Sequence, residues 1–146
     1  MVKFVIGRKA DMVWSALLFI TIFLPLASLS VDVPEYFRVA TLLQGALDAS
    51  AQQAVNDCLD LEGFSQTGTA RLKSACIQQA AGQRFGSETS SLATGEHSPV
   101  LMSVACSNGC RSLQVQGGVS TRVFFSLSPR IRIVRAARSD VRMVHG

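Results

Sequence analysis

Four cysteines, Cys58, Cys76, Cys106 and Cys110, carry most of the covalent chemistry open to this 146-residue chain. All four follow a long apolar run and none lies in or before it, the usage expected of a segment that reaches an oxidising compartment. Two disulfides are the natural expectation, and of the three connectivities Cys58 with Cys76 and Cys106 with Cys110 is the most local. Cys106-Ser107-Asn108-Gly109-Cys110 reads as a three-residue hairpin loop with Gly109 left-handed, which would set the two cysteines opposite each other. A Cys58–Cys76 bridge would close a helical hairpin, a constraint worth about 3 kcal/mol in the chain-entropy model. The competing chemistry is a zinc site drawing on His97 or His145, but no second close cysteine pair has finger-like spacing.

Other reactive groups are sparse. Glu96 and His97 are adjacent titratable groups with no nucleophile placed beside them by sequence, and the chain has no Gly-x-Ser-x-Gly, Gly-x-Gly-x-x-Gly, phosphate loop or His-Glu-x-x-His. Neither an enzyme nor a cofactor or metal is expected. Arg130, Arg132, Arg135, Arg138 and Arg142 make a basic strip that could meet anionic headgroups or an acidic partner. The same strip is equally what a solvated edge strand uses to avoid sticking to other strands. Nucleic acid is not an expected partner, because aromatics for base stacking are not interleaved with these arginines.

The elements that must carry these groups begin with a membrane-type segment. Residues 12–31, MVWSALLFITIFLPLASLSV, hold no ionisable side chain and are bounded by Asp11 and Asp32. As a helix this run is about 30 Å long, the thickness of a bilayer's hydrocarbon core. It shows no polar stripe, which a soluble helix of that length would need in so small a domain. Lys3, Arg8 and Lys9 precede it while Asp32 and Glu35 follow, so the N-terminus is expected in the cytoplasm and the remainder outside. Pro25 should bend the helix, as membrane helices tolerate. The expected organisation is a basic cytoplasmic N-terminus (1–11), a transmembrane helix (12–31) and an extracytoplasmic domain (32–146). The alternative is a cleaved signal peptide, with small residues Ser28 and Ser30 before Val31, releasing a secreted disulfide-stabilised binding module.

Downstream, the pattern is that of a small globular domain. With 48% apolar and 16% charged residues overall, disorder is excluded. Charge is unevenly spread: residues 32–99 sum to −4 and residues 100–146 to +6. Tyr36, Ala40, Leu43, Leu47, Ala51, Ala54, Cys58 and Leu61 recur at steps of three and four, predicting an amphipathic helix jointed to the membrane helix at Pro34 and ended by Gly63. Ala46, Ala49, Ala51 and Ala54 are small enough to admit a partner helix and are also strong helix formers. A second helix is expected from an N-cap at Thr67 to about Arg84, with Gly86 as the stop and a loop over 86–98. The period then becomes two: Val100–Cys106, Ser112–Gln116, Val119–Leu127, Ile131–Val134 and Val141–Val144 predict four or five antiparallel strands, punctuated by Asn108-Gly109, Gly117-Gly118 and Pro129. Ile131 and Ile133 should face inward and Arg130 and Arg132 outward. The fold class is α+β on a membrane tether.

Several segments together resemble the TadE/TadG-like proteins of tight-adherence (Flp-type) pilus assembly. They are Ser15-Ala16-Leu17, Leu24-Pro25-Leu26, Val31-Asp32-Val33 and Leu43-Gln44-Gly45-Ala46-Leu47-Asp48-Ala49-Ser50-Ala51, with Val123-Phe124-Phe125 and alternating strands towards the end. The chain departs from the family pattern at Gly45, where Asn is usual, and at Pro34, where Gly is common. A pilin-like cut after Gly7 would put Met12 rather than Glu at the fifth mature position, so the uncleaved, TadG-like form is the closer match. The resemblance implies a non-enzymatic inner-membrane protein that works through its outer domain. It implies pilus-assembly or secretion proteins as partners, oligomerisation through the N-terminal helix, and a helix-packing or docking role for Asp32.

Overall fold

The computed structural model describes residues 3–93, 96–122 and 130–141. The helix α1 (Lys3–Asp57) runs 55 residues, about 82 Å, without interruption at Pro25 or Pro34. Each proline removes only one backbone donor, and the bonds on either side carry the helix through. The expected joint at Pro34 is therefore absent, and the apolar run and the amphipathic seam are one rod. Ala40, Leu43, Leu47, Ala51, Ala54 and Cys58 are all buried along that seam, joined by Val39 and Ala46.

The helix ends at Asp57, earlier than Gly63. Leu59 leaves the axis to form a bridge with Leu72, the Asp60 N–H donates to the Arg71 carbonyl at 2.8 Å, and the Lys73 N–H donates to the Cys58 carbonyl at 2.8 Å. The Cys58–Cys76 disulfide clamps the same corner, with Cα atoms 5.6 Å apart. Asp60 then starts a short helix, α2 (Leu61–Thr67), by accepting the Gly63 N–H. Thr67 accordingly ends a helix rather than capping one, and Gly68 closes it in the left-handed conformation. Leu61, off the α1 axis, is 68% exposed. The second long helix, α3 (Ser74–Glu88), begins after Leu72 and continues through Gly86 to a cap at Thr89. It buries Ile77, Ala81 and Phe85.

The sheet has three strands, β1 (His97–Ser107), β2 (Ser112–Thr121) and β3 (Ile131–Asp140), in an antiparallel meander. Strand β1 starts inside the expected loop, and β3 runs six residues beyond Val134. The segments expected as strands at 123–127 and 142–144 lie outside the described residues. Ser107 pairs with Ser112, so the β1–β2 turn is four residues, 108–111, with Asn108, Gly109 and Cys110 all at positive φ. Cys106 faces Leu113 in the ladder and reaches Cys110 across the turn, Cα–Cα 4.7 Å. Ile133 is buried and Arg132 is exposed, while Ile131 stays at the open end of the sheet.

Gly117-Gly118 lies in the middle of β2 and does not end it. A Cβ on Gly117 would meet Leu47 Cδ2 of α1 at 3.0 Å, the Val100 carbonyl at 3.3 Å and Phe85 Cε2 of α3 at 3.4 Å. The missing side chain lets both helices settle on the same face of the central strand, where Leu113, Val115 and Val119 complete the core. Gly45, by contrast, lies on the uncovered side of α1 with nothing within 4 Å of its Cβ position. Thermal or denaturant melting should show Gly117→Ala destabilising by about 1–3 kcal/mol through overpacking. Gly45→Ala should stabilise by about 0.5–1 kcal/mol. Equal effects of the two changes would contradict this packing.

Candidate functional site

The first half of α1 has no protein over it. Met12 is 77% and Phe23 55% exposed, and none of the described side chains from Asp11 to Arg38 is buried; burial begins at Val39. Two hydroxyls in this stretch bond back to their own helix: Thr21 Oγ1 donates to the Leu17 carbonyl and Ser30 Oγ to the Ala27 carbonyl at 2.7 Å. That arrangement suits an apolar surrounding, where an unsatisfied hydroxyl would be costly. By length and composition this is a helix able to cross a membrane. Trp14 and Tyr36 lie 22 residues apart, about 33 Å along the axis, a spacing that places an aromatic at each face of a hydrocarbon core of about 30 Å.

Where α1 leaves this zone, residues 31–38 share a cavity of about 780 Å³ with one end of the sheet. Its apolar wall includes Val33, Tyr36, Phe37 and Ile131; its polar groups include Glu35, Arg38, Glu96, His97 and Arg122. Arg38 donates through Nε and Nη2 to the two Glu35 carboxylate oxygens, each at 2.9 Å. His97, the first residue of β1, is 8% exposed and holds Nε2 3.4 Å from Glu35 Oε1. Its Nδ1 is buried without a hydrogen-bond partner among the described residues. The Glu35–Arg38–His97 group fastens the helix to the sheet at the end of the domain nearest the membrane-type segment. The Arg38 hydrogen bonds hold the Glu35 carboxyl below the usual carboxylate range, against a smaller opposing effect of burial, and Glu35 in turn raises Arg38.

The residues singled out from sequence fall in different places. Asp11 is exposed at the start of the bare stretch, whereas Asp32 is half-buried beside the cavity, turned towards its own domain. Ala46, Ala51 and Ala54 are buried in the core, so their small size serves the chain's own packing and Ala46 offers no partner surface. Ala49 is half-buried. Arg130 and Arg132 are exposed at the same end of the sheet as the cavity, Arg132 opposite Ser120 in the ladder. The cysteines pair as 58–76 and 106–110. His97 lies at the opposite end of β1 from Cys106, which separates the elements of the alternative zinc reading by about 30 Å of strand. His145 and Arg142 lie outside the described residues. Sequence reasoning missed the Glu35–Arg38–His97 group. The i, i+3 spacing of Glu35 and Arg38 was visible, but His97 joins them only through the sheet.

No family model, no characterised protein and no solved structure matches this chain.

The carboxylate of Glu35 should titrate with a midpoint below the ordinary value for glutamate, followed by the ¹³C shift of its side-chain carboxyl in micelles. Since the folded pKa is depressed, its contribution to stability is present above the unfolded pKa of about 4.3 and is lost as pH falls through the lower folded value. A midpoint at or above the ordinary value would contradict the clasp.

Proposed function

We propose that this chain is a single-pass, membrane-anchored, non-enzymatic component of a tight-adherence (Flp-type) pilus assembly system, TadE/TadG-like, acting through an extracytoplasmic α+β domain. The observation that carries the membrane part is the bare apolar half of α1, continuous with a helix whose other half is buried in a domain. In water that half would expose Trp14, Leu17, Phe19, Phe23 and their neighbours with nothing to cover them. The two cysteine pairs support an oxidising compartment beyond it. The pilus assignment is supported by the Leu24-Pro25-Leu26, Val31-Asp32-Val33 and Leu43–Ala51 segments. In this reading the mechanism is association: the helix holds the domain at the inner membrane, and the domain's outer surfaces meet other assembly or secretion proteins.

A C-terminal alkaline phosphatase fusion should be active in intact cells, and a C-terminal cytosolic reporter fusion should be silent. The reverse pattern would defeat the topology. Intact-mass measurement of the chain from membranes should retain residues 1–30. Their removal would favour the secreted binding module, which the structure permits because no described side chain before Val39 belongs to the core. Deleting the gene in a piliated host should abolish surface pili; undiminished pili would defeat the assembly role.

A further inference from the structure

The unbroken helix fixes the height of the domain above the bilayer. From Val31, the end of the apolar run, to Val39, the first buried residue, is about 12 Å of helix. A headgroup layer occupies roughly 5–7 Å on each side of the hydrocarbon. Tyr36 and Phe37, about 7.5 and 9 Å beyond Val31 and in edge contact with ring centroids 5.9 Å apart, therefore sit at the outer edge of the headgroup layer. So does the end of the sheet that shares their cavity, where Arg122 follows β2 and Arg130 precedes β3. Arg132 stands two residues further up β3 and is exposed. The Glu35 charge at this end is paired with Arg38, and the other described charges here, Arg122, Arg130 and Arg132 with Asp32 and Glu96, sum to a positive excess of one.

We propose that this end of the domain is a docking surface for anionic phospholipid headgroups, with Arg122, Arg130 and Arg132 facing the phosphates and Tyr36 and Phe37 seated among the headgroups. The proposal rests on the membrane reading above. Its warrant is one of position: of the arginines spread along the sheet, the exposed Arg122, Arg130 and Arg132 stand at the end that the helix brings against the bilayer, while Arg135 and Arg138 continue up β3 away from it. Phospholipid phosphates are the anions present at that height without any further partner. Attraction of a surface arginine to an anionic leaflet is worth about fivefold in association per residue, from about 1 kcal/mol. Docking would also hold the helix and the domain built on it at one tilt to the bilayer, presenting the far end of the sheet, with its 106–110 turn, to whatever assembles above.

The test uses the full chain reconstituted in bilayers of phosphatidylcholine and phosphatidylglycerol, with spin-labelled forms of each lipid. The motionally restricted lipid should favour phosphatidylglycerol severalfold, and 500 mM salt should largely remove the preference. Arg122→Gln, Arg130→Gln and Arg132→Gln together should remove most of it, while the corresponding three lysine substitutions should keep it. A preference that survives intact in the glutamine variant, carried then by Lys3, Arg8 and Lys9 on the other face, would overturn the proposal, as would its loss in the lysine variant. Restricted lipid without any phosphatidylglycerol preference defeats the docking surface alone. Absence of restricted lipid of either kind defeats the membrane reading itself.

Discussion

An apolar helix about 30 Å long, with none of the described residues packed over it, is long and apolar enough to cross a membrane, and the rest of this molecule is arranged around that element. Residues 12–31 offer no polar stripe and none of their described side chains is buried, and the hydroxyls of Thr21 and Ser30 turn back on the helix that bears them. The same helix, without a break, becomes the backbone of the core from Val39 to Cys58. One element thus carries two hydrophobic patterns. Its first half is selected for uniform hydrophobicity and its second for a stripe, and the change occurs over the residues that face the cavity.

The domain is held to the rod by three different means. Leu43, Leu47 and Ala51 pack against α3 and the sheet, with Gly117 admitting Leu47 and Phe85 to the central strand. The Cys58–Cys76 bridge, with the Leu59–Leu72 pairing, ties the far end of α1 to the start of α3. Near the membrane-type segment, where apolar burial has run out, a polar group takes over: Glu35 binds Arg38 in a bidentate pair and meets His97 from β1. The exposure of that pair limits what it adds to stability. Its geometric effect is to fix how the sheet's basic end is turned relative to the helix axis.

What was legible in the sequence was whatever is encoded locally. The apolar run, the seam from Ala40 to Cys58 and the period of two beyond residue 97 each follow from neighbours within a turn or a strand, and each stands in the structure. The errors share one cause. Gly63 and Thr67 carry local stop and start signals, but the bridge between Leu59 and Leu72 and the Asp60 cap decided where the helices end. Gly117-Gly118 has the composition of a turn, yet its role is to let two helices approach, a demand made by residues 32 and 70 positions away in sequence. Ala46 looked like a site for another chain and is occupied by its own. His97 could be placed beside Glu35 only once the strand register was known.

The central claim is that the first half of α1 lies among lipid chains, and Trp14, the only tryptophan, reports on it directly. In vesicles containing lipids brominated at graded depths along the acyl chain, Trp14 emission should be blue-shifted and quenched most by labels near the headgroup end of the chain. Emission at the wavelength of tryptophan in water, untouched by bromine at any depth, would contradict the account.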